Sequence, residues 1–179
     1  MKINKFIIPM FVSILSLTSC SLGDIVTKEE FASKIEVLNN ISYSAVTVRG
    51  TLFTRYVETE AKIDFEFSYV LENGVYVPTS EEENDIQTFL NDTLGVNING
   101  DFLRSELSND ATYYLKGDNG YAMTFSLGNS DINVSKEYAN YTYEYNSNGF
   151  YTHTNERETY ISNGLTYTSV LDATYNWRV

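Results

Sequence analysis

Residues 61–71, AKIDFEFSYVL, carry the clearest structural signal in the sequence. Apolar side chains occupy every second position, and these are Ile63, Phe65, Phe67, Tyr69 and Leu71. The positions between them carry lysine, aspartate, glutamate and serine. Successive side chains of a β-strand point to opposite faces of the sheet. The stretch therefore predicts a strand with one buried face and one wet face, which is typical of an antiparallel sheet.

Similar alternation predicts further strands on both sides of this one. They cover Tyr43–Tyr56, Val75–Val77, Ala111–Leu115, Tyr121–Leu127, Tyr138–Tyr145, Phe150–Ile161 and Leu165–Val179. Asn163-Gly164, between the last two, is a strong hairpin-turn dipeptide. The composition agrees, because 15 tyrosines and 10 phenylalanines with only 2 prolines favour strands over coil.

Two segments have the apolar spacing of amphipathic helices. The first covers Thr27–Asn39, and the second covers Ser80–Leu94. Each begins with a hydroxyl residue that a glutamate follows three positions later, which is the spacing of a capping box. A glycine at position 95 favours a helix end directly after the second segment.

Together these elements predict an α+β fold, in which a curled antiparallel β-sheet of about seven strands, rich in meanders, carries two amphipathic helices on one face. The alternative is a sandwich, in which the sheet packs against itself. A curled sheet under few helices leaves an apolar cleft, and such clefts bind small ligands. The residues expected to line the cleft are Phe65, Phe67, Phe89, Met123 and Phe125.

The first twenty residues have the features of an export signal. Lys2 and Lys5 precede Phe6–Leu17, a mostly apolar run of 12 residues that is too short to span a bilayer as a helix. The run ends in LTSC, in which an aliphatic residue and two small ones precede Cys20. This tetrapeptide resembles the lipobox of bacterial lipoproteins. An ordinary secretory signal with a chance cysteine is the alternative.

The lipobox resemblance implies that the signal is cleaved between Ser19 and Cys20 and that the Cys20 sulfur receives a diacylglycerol. Two acyl chains, such as palmitate, give stable anchoring, so the protein is expected at the extracytoplasmic face of the cell membrane. The chain then divides into a signal peptide at 1–19, a lipidated tether at 20–26 and a single domain at 27–179. The order of helix, strands, helix and strands also resembles the half-barrel, LolA-like lipoproteins, which implies a lipid-handling role.

Charge and residue counts exclude several classes of function. Without Lys2 and Lys5 the chain has 10 basic and 24 acidic side chains, a net charge of −14, which repels nucleic acid and anionic lipid surfaces. The single cysteine excludes a disulfide within the chain. The single histidine, His153, leaves no pair of ligands at zinc spacing, so no metal or other cofactor is expected. His153 is expected on an exposed strand, with Glu156 and Glu158 near enough to form a pH-sensitive pair.

No nucleophile elbow, phosphate-binding loop or dinucleotide fingerprint occurs in the sequence. The sequence therefore favours a membrane-anchored, non-enzymatic binding protein for an apolar small molecule. One alternative is a structural or adhesive surface lipoprotein that binds a protein or glycan partner through exposed tyrosines, for which Tyr138–Tyr145 is the best candidate. Another is a glycan-acting enzyme, which requires two carboxylates facing each other across an aromatic groove. The oligomeric state stays open.

Overall fold

The computed structural model describes residues 23–35, 43–80, 84–96, 107, 109–117, 120–128, 136–162 and 164–179. Within these residues the chain forms nine strands and two helices. The strands are β1 (Asp24–Val26), β2 (Ala45–Tyr56), β3 (Thr59–Glu72), β4 (Val75–Pro78), β5 (Thr112–Lys116), β6 (Gly120–Gly128), β7 (Lys136–Tyr145), β8 (Tyr151–Ser162) and β9 (Leu165–Arg178). The helices are α1 (Lys28–Lys34) and α2 (Asp85–Val96).

The nine strands belong to one antiparallel sheet, in the order β1-β5-β6-β7-β8-β9-β2-β3-β4. Most neighbours in the sheet are also neighbours in the sequence. The two exceptions are β1 with β5 and β2 with β9. Ala45 lies opposite Arg178, so strands from the two halves of the chain pair along their whole length. The edges of the sheet are β1 and β4.

The predicted fold class is wrong. The protein is mostly β, with one nine-stranded antiparallel sheet and two short helices, rather than an α+β fold with about seven strands and two amphipathic helices. The two helices contribute to both buried clusters on the sheet, α2 through Leu90 and Leu94 and α1 through Phe31. One strand that the sequence did not predict is β1, within the predicted tether, because three residues are too few to display an alternating pattern.

One of the two predicted helix starts agrees with the structure and the other does not. The Thr27 hydroxyl accepts a hydrogen bond from the Glu30 backbone N–H at 3.1 Å, so the predicted N-cap of α1 is confirmed. The predicted start at Ser80 is wrong, because α2 begins at Asp85. Residues 81–83, part of the predicted helix, lie outside the described residues.

The late start of α2 has two causes, one within the first turn of the helix and one across the sheet. The Asn84 side-chain oxygen accepts a hydrogen bond from the Gln87 N–H at 3.0 Å, and this satisfies a donor of the first turn. Thr79 is held against β3, since its backbone N–H and its hydroxyl both donate to the Ser68 carbonyl, at 2.8 and 3.0 Å. The chain therefore follows β3 for one residue beyond β4 before it leaves for the helix.

The buried residues form two clusters on one face of the sheet, which we call the helix-bearing face. The first packs α2 against β2, β3, β4 and β9, and its members are Val46, Val48, Tyr69, Tyr76, Leu90, Leu94, Ala173 and Tyr175. The second packs α1 against β5, β6 and β7, and its members are Phe31, Ile35, Leu107, Tyr113, Met123 and Tyr145. Tyr151 packs against both clusters, so the two form one continuous layer.

Gly50 permits a close approach between β2 and its neighbours. A Cβ atom at this position would lie 2.1 Å from the Asp172 carbonyl oxygen and 2.7 Å from the ring of Phe65. Because no real Cβ contact is that short, glycine is required here for β2 to keep its pairing with β9. The space over Gly50 is filled by the ring of Phe65, next to the groove described below.

Candidate functional site

The helix-bearing face has an open groove beside the N-terminal half of α2, which we call the α2 groove. It consists of two adjoining clefts of about 280 Å³ and 460 Å³, which share Leu52, Asp85 and Ile86. The rest of the first cleft is lined by Phe89, Glu156, Glu158, Ser169 and Leu171. The rest of the second is lined by residues 63–67 and Asn84.

The floor of the α2 groove is apolar and only partly covered. Leu52 of β2 lies directly opposite Ile63 of β3, and the rings of Phe65 and Phe67 stack with their centroids 5.7 Å apart. Ile63 is 52% exposed and Phe89, on the helix wall, is 40% exposed. Neighbouring large apolar side chains left in contact with water are a feature of ligand and partner sites.

One wall of the groove carries two carboxylates. Glu156 and Glu158 lie two residues apart on β8 and therefore share a face. The Tyr143 hydroxyl donates to Glu156 at 2.9 Å, and the Tyr141 hydroxyl donates to Glu158 at 2.6 Å. Burial, followed by the charge of Glu156, raises the pKa of Tyr143, so its phenol stays protonated and keeps donating. The groove thus joins an apolar floor to oriented hydrogen-bond acceptors.

The structure brings three of the five sequence-predicted residues together. Phe65, Phe67 and Phe89 line the α2 groove. Met123 is buried in the second cluster, against α1. Phe125 packs against the same cluster, with its ring 4.8 Å from that of a tyrosine of β7. The five residues therefore do not form one site, since β6 lies five positions from β3 in the sheet.

The groove is also lined by residues that were not predicted to line it, among them Leu52, Ile86, Leu171, Glu156 and Glu158. Alternation places Leu52 and Leu171 on the apolar faces of their strands. It does not show that these two strands are neighbours, because β2 and β9 are separated by more than a hundred residues. In the sequence, Glu156 and Glu158 stand out only as two acids on one strand near His153, and nothing there relates them to α2.

His153 lies on the opposite face from the groove. It differs from Glu156 by three positions on β8, and an odd separation places two strand residues on opposite faces. The predicted pairing with Glu156 and Glu158 is therefore wrong. The His153 ring instead contacts Asp172 at 3.1 Å and Glu144 at 3.9 Å.

In the predicted tyrosine patch of Tyr138–Tyr145, the described side chains at 141, 143 and 145 do not form an exposed surface. Tyr141 and Tyr143 are partly buried on the helix-bearing face, and Tyr145 belongs to the second cluster. The three rings pack against neighbouring aromatic side chains, as at the contact of 4.9 Å between the centroids of Tyr145 and Tyr151. These tyrosines serve cross-strand packing in the described structure.

A different set of tyrosines forms a ladder across three strands. The Tyr167 ring on β9 stacks on Tyr160 of β8, with centroids 5.0 Å apart, and on Tyr56 of β2, with centroids 4.5 Å apart. Tyr56 is exposed, as are Val57 and Leu165 beside the ladder. Both faces of the middle ring are covered by its neighbours, so the ladder presents mainly ring edges and hydroxyls.

Within the described residues, no group of three or more His, Cys, Asp or Glu side chains is arranged to hold a metal ion. No helix in this part of the chain has the length and hydrophobicity to cross a membrane. Ser19 and Cys20 lie outside the described residues. No protein-family model matches the sequence, and no characterised protein is significantly similar to it.

Proposed function

We propose that the chain is a bacterial lipoprotein, held at the extracytoplasmic face of the cell membrane by a lipid on Cys20, that binds an apolar ligand in the α2 groove. The observation that carries the binding role is the open apolar lining of the groove, in which Ile63 of the floor and Phe89 of the helix wall remain about half exposed. A catalytic role is not part of the proposal, because Glu156 and Glu158 stand side by side on one strand as acceptors for tyrosine hydroxyls.

The number of methylenes that a ligand buries sets the affinity to expect. Each buried methylene contributes about 0.8 kcal/mol, so eight methylenes contribute about 6 kcal/mol in total. Association itself costs about 4 kcal/mol or more in lost freedom of motion. An apolar chain of eight carbons therefore binds weakly, and a longer chain or one with an aromatic ring is needed for micromolar affinity.

The tether and the groove lie far apart in the sheet. Asp24, the first residue of β1, is four residues from Cys20, which is a reach of about 14 Å at most. The groove extends from β8, four strand positions from β1, to β3, seven positions from β1, which is at most about 19 to 34 Å across the sheet. With the lipid on Cys20, the β1 edge stays near the membrane, and the groove is free to face the aqueous side.

The binding role is tested with N-phenyl-1-naphthylamine, a neutral probe that fluoresces more strongly in apolar surroundings. We expect it to bind the native protein and to bind the double variant Ile63→Ser, Phe89→Ser about tenfold more weakly, because the substitutions remove apolar surface from the floor and from the helix wall. Both side chains are already exposed, so the fold is expected to survive the change.

The matched control is Ile25→Ser, Val75→Ser, which also removes two exposed apolar side chains but lies at the two edges of the sheet. The control is expected to bind the probe as the native protein does. Equal probe affinities for the two double variants would contradict the binding role.

A second candidate, a surface lipoprotein that binds a protein or glycan partner, is supported by the tyrosine ladder. Tyr56, Val57 and Leu165 are exposed together at one end of the sheet. The stacked rings leave mainly edges and hydroxyls on the surface, which suits a protein partner better than a sugar ring. The α2 groove is a concave site with apolar lining and oriented acceptors, and we therefore rank ligand binding first.

A further inference from the structure

The helix α2 buries a polar side chain and exposes an apolar one. Gln87 is completely buried, whereas Phe89, two residues later, is 40% exposed. An amphipathic helix normally does the reverse, since burial favours the aromatic ring and deprives the amide of its hydrogen bonds to water. The orientation of α2 on the sheet therefore costs free energy at both residues. Positions at which a sequence breaks such a rule are often functional.

Gln87 differs from the other buried polar side chains of the described residues, which are Thr47 and Thr154. The Thr47 hydroxyl is hydrogen-bonded to Ser68 at 3.2 Å, and the Thr154 hydroxyl to Tyr175 at 3.4 Å. The side-chain oxygen and nitrogen of Gln87 both lack a hydrogen-bond partner. Native proteins contain few such atoms, because each one costs free energy. The Gln87 amide can therefore still donate to another group and accept from it.

Further polar atoms without a partner lie in the same layer of the molecule. In the part of the chain that the structure describes, they are the Asn91 side-chain oxygen and the Tyr69 hydroxyl, both buried. Asn91 follows Gln87 by one helical turn, so the two side chains project on the same side of α2. Tyr69 belongs to the first cluster, together with Leu90 and Leu94 of α2. These atoms therefore gather where α2 meets the sheet.

This layer adjoins the α2 groove. Ile86 lines both clefts of the groove and also packs against the first cluster. Gln87 is the next residue, and Leu90, one turn after Ile86, is fully buried in that cluster. The groove and the buried amide are therefore neighbouring parts of one contact between helix and sheet. Because Gln87 has no exposed surface, α2 has to shift before a molecule in the groove reaches the amide.

We propose that α2 shifts to admit the polar end of the ligand, and that the Gln87 amide binds this end through hydrogen bonds while the apolar part covers Phe89. The inference rests on the proposed function, since the α2 groove holds the apolar part. It specifies the ligand as a neutral amphiphile whose polar end both donates and accepts a hydrogen bond. Long-chain primary amides and alcohols belong to this class.

The polar end has to be neutral because of where it binds. Among the described residues, no buried side chain carries a charge at neutral pH. An ion in such an interior is far more costly than a neutral group unless an opposite charge pairs with it. Burial raises the pKa of Tyr69 to about 12, so this residue offers a hydroxyl rather than a charge. A primary amide matches Gln87 best, since two amides can each donate an N–H to the oxygen of the other.

The test compares two amides of the same chain length. Decanamide donates and accepts hydrogen bonds, whereas N,N-dimethyldecanamide only accepts them. Each is added to the native protein with N-phenyl-1-naphthylamine bound, and its affinity is obtained from the loss of fluorescence. We expect decanamide to bind at least about tenfold more tightly than its dimethyl derivative, and more tightly than decanoate, which is ionised at neutral pH.

Two variants locate the polar contact. Gln87→Met removes the amide and keeps an unbranched side chain of similar length, and we expect it to bind the two amides within about threefold of each other. Thr154→Val is the matched control, because it removes a buried polar group that already has a partner. The control is expected to keep the preference for decanamide.

Urea unfolding without ligand distinguishes an unpartnered amide from one that buried water already satisfies. Gln87→Met removes two unpartnered atoms, so the midpoint of unfolding is expected to rise. Thr154→Val leaves the Tyr175 hydroxyl without this partner, so the midpoint is expected to fall. A fall in Gln87→Met as well would show that water bridges the amide, and this result overturns the inference.

The binding results separate the inference from the proposed function. A preference for decanamide that Gln87→Met loses and Thr154→Val keeps supports the inference. Equal affinities of the native protein for the two amides, or a preference that persists in Gln87→Met, overturn the inference and leave the proposed function standing. If N-phenyl-1-naphthylamine does not bind the native protein, the proposed function fails and the inference fails with it.

Discussion

Replacing Phe31 by alanine is expected to lower the free energy of unfolding by about 3–5 kcal/mol. Phe31 is completely buried and joins α1 to the sheet. Its ring centroid lies 4.8 Å from that of Tyr113 and 5.9 Å from that of Tyr145. α1 has only seven residues, too few to be stable without packing, so loss of this ring leaves the helix with Ile35 as its main buried contact.

The measurement is urea unfolding followed through Trp177, the single tryptophan of the chain. The control is Phe89→Ala, which removes the same side chain from an exposed position and is expected to cost about 1 kcal/mol or less. Similar losses in the two variants would contradict the docking of α1 described above. Trp177 packs against the first cluster, so a shift of its transition in Phe31→Ala also shows that the two clusters unfold together.

The second large effect is loss of the fold at high pH. Burial raises the pKa of Tyr69 and of Tyr76 to about 12, from an ordinary value of 10.0. Burial raises the pKa of Tyr143, Tyr145 and Tyr175 as well. The folded state then keeps these protons while the unfolded chain releases them. Stability is therefore complete below about pH 10 and falls as the pH rises from 10 toward 12 and beyond.

This effect is measured by following tyrosinate absorbance and near-ultraviolet circular dichroism together as the pH is raised. We expect two steps of absorbance, the second coinciding with loss of the circular dichroism signal. The variant Tyr69→Phe is expected to unfold at a higher pH, because it lacks one group that must ionise on unfolding. A single absorbance step centred near pH 10, with the circular dichroism unchanged, would contradict the assignment of a buried tyrosine set.

The elements of the fold that follow from local sequence were predictable. β3 lies where the period-two pattern of residues 61–71 places it. The Thr27 cap is found as predicted, because its partner Glu30 is three residues away. The Ser80 cap looks the same in sequence, but Thr79 is held by Ser68, eleven residues earlier. A contact across the sheet overrides a capping box that is equally good locally.

The candidate site was less predictable because it depends on which strands are neighbours. Phe65, Phe67 and Phe89 were predicted from their apolar faces, and they do line the groove. Met123 and Phe125 show the same pattern in a strand that packs against α1 instead. Periodicity determines the face of each residue. It does not determine the order of strands, which here depends on the pairing of β2 with β9.

The second wall of the groove was not predictable for a related reason. β4 has four residues against fourteen in β3, and the chain is still held to β3 at Thr79, which donates to the Ser68 carbonyl. The start of α2, Asn84–Ile86, then lines the same cleft as residues 63–67 of β3. Sequence alone does not show that these two segments meet.

The most direct test of the account is native mass spectrometry of the protein isolated from the membranes of cells that produce it. We expect a chain that begins at Cys20, carries a covalent diacylglycerol, and holds an apolar molecule that the Ile63→Ser, Phe89→Ser variant has lost. A chain that still begins at Met1, or an unmodified Cys20 with no bound molecule, would contradict it.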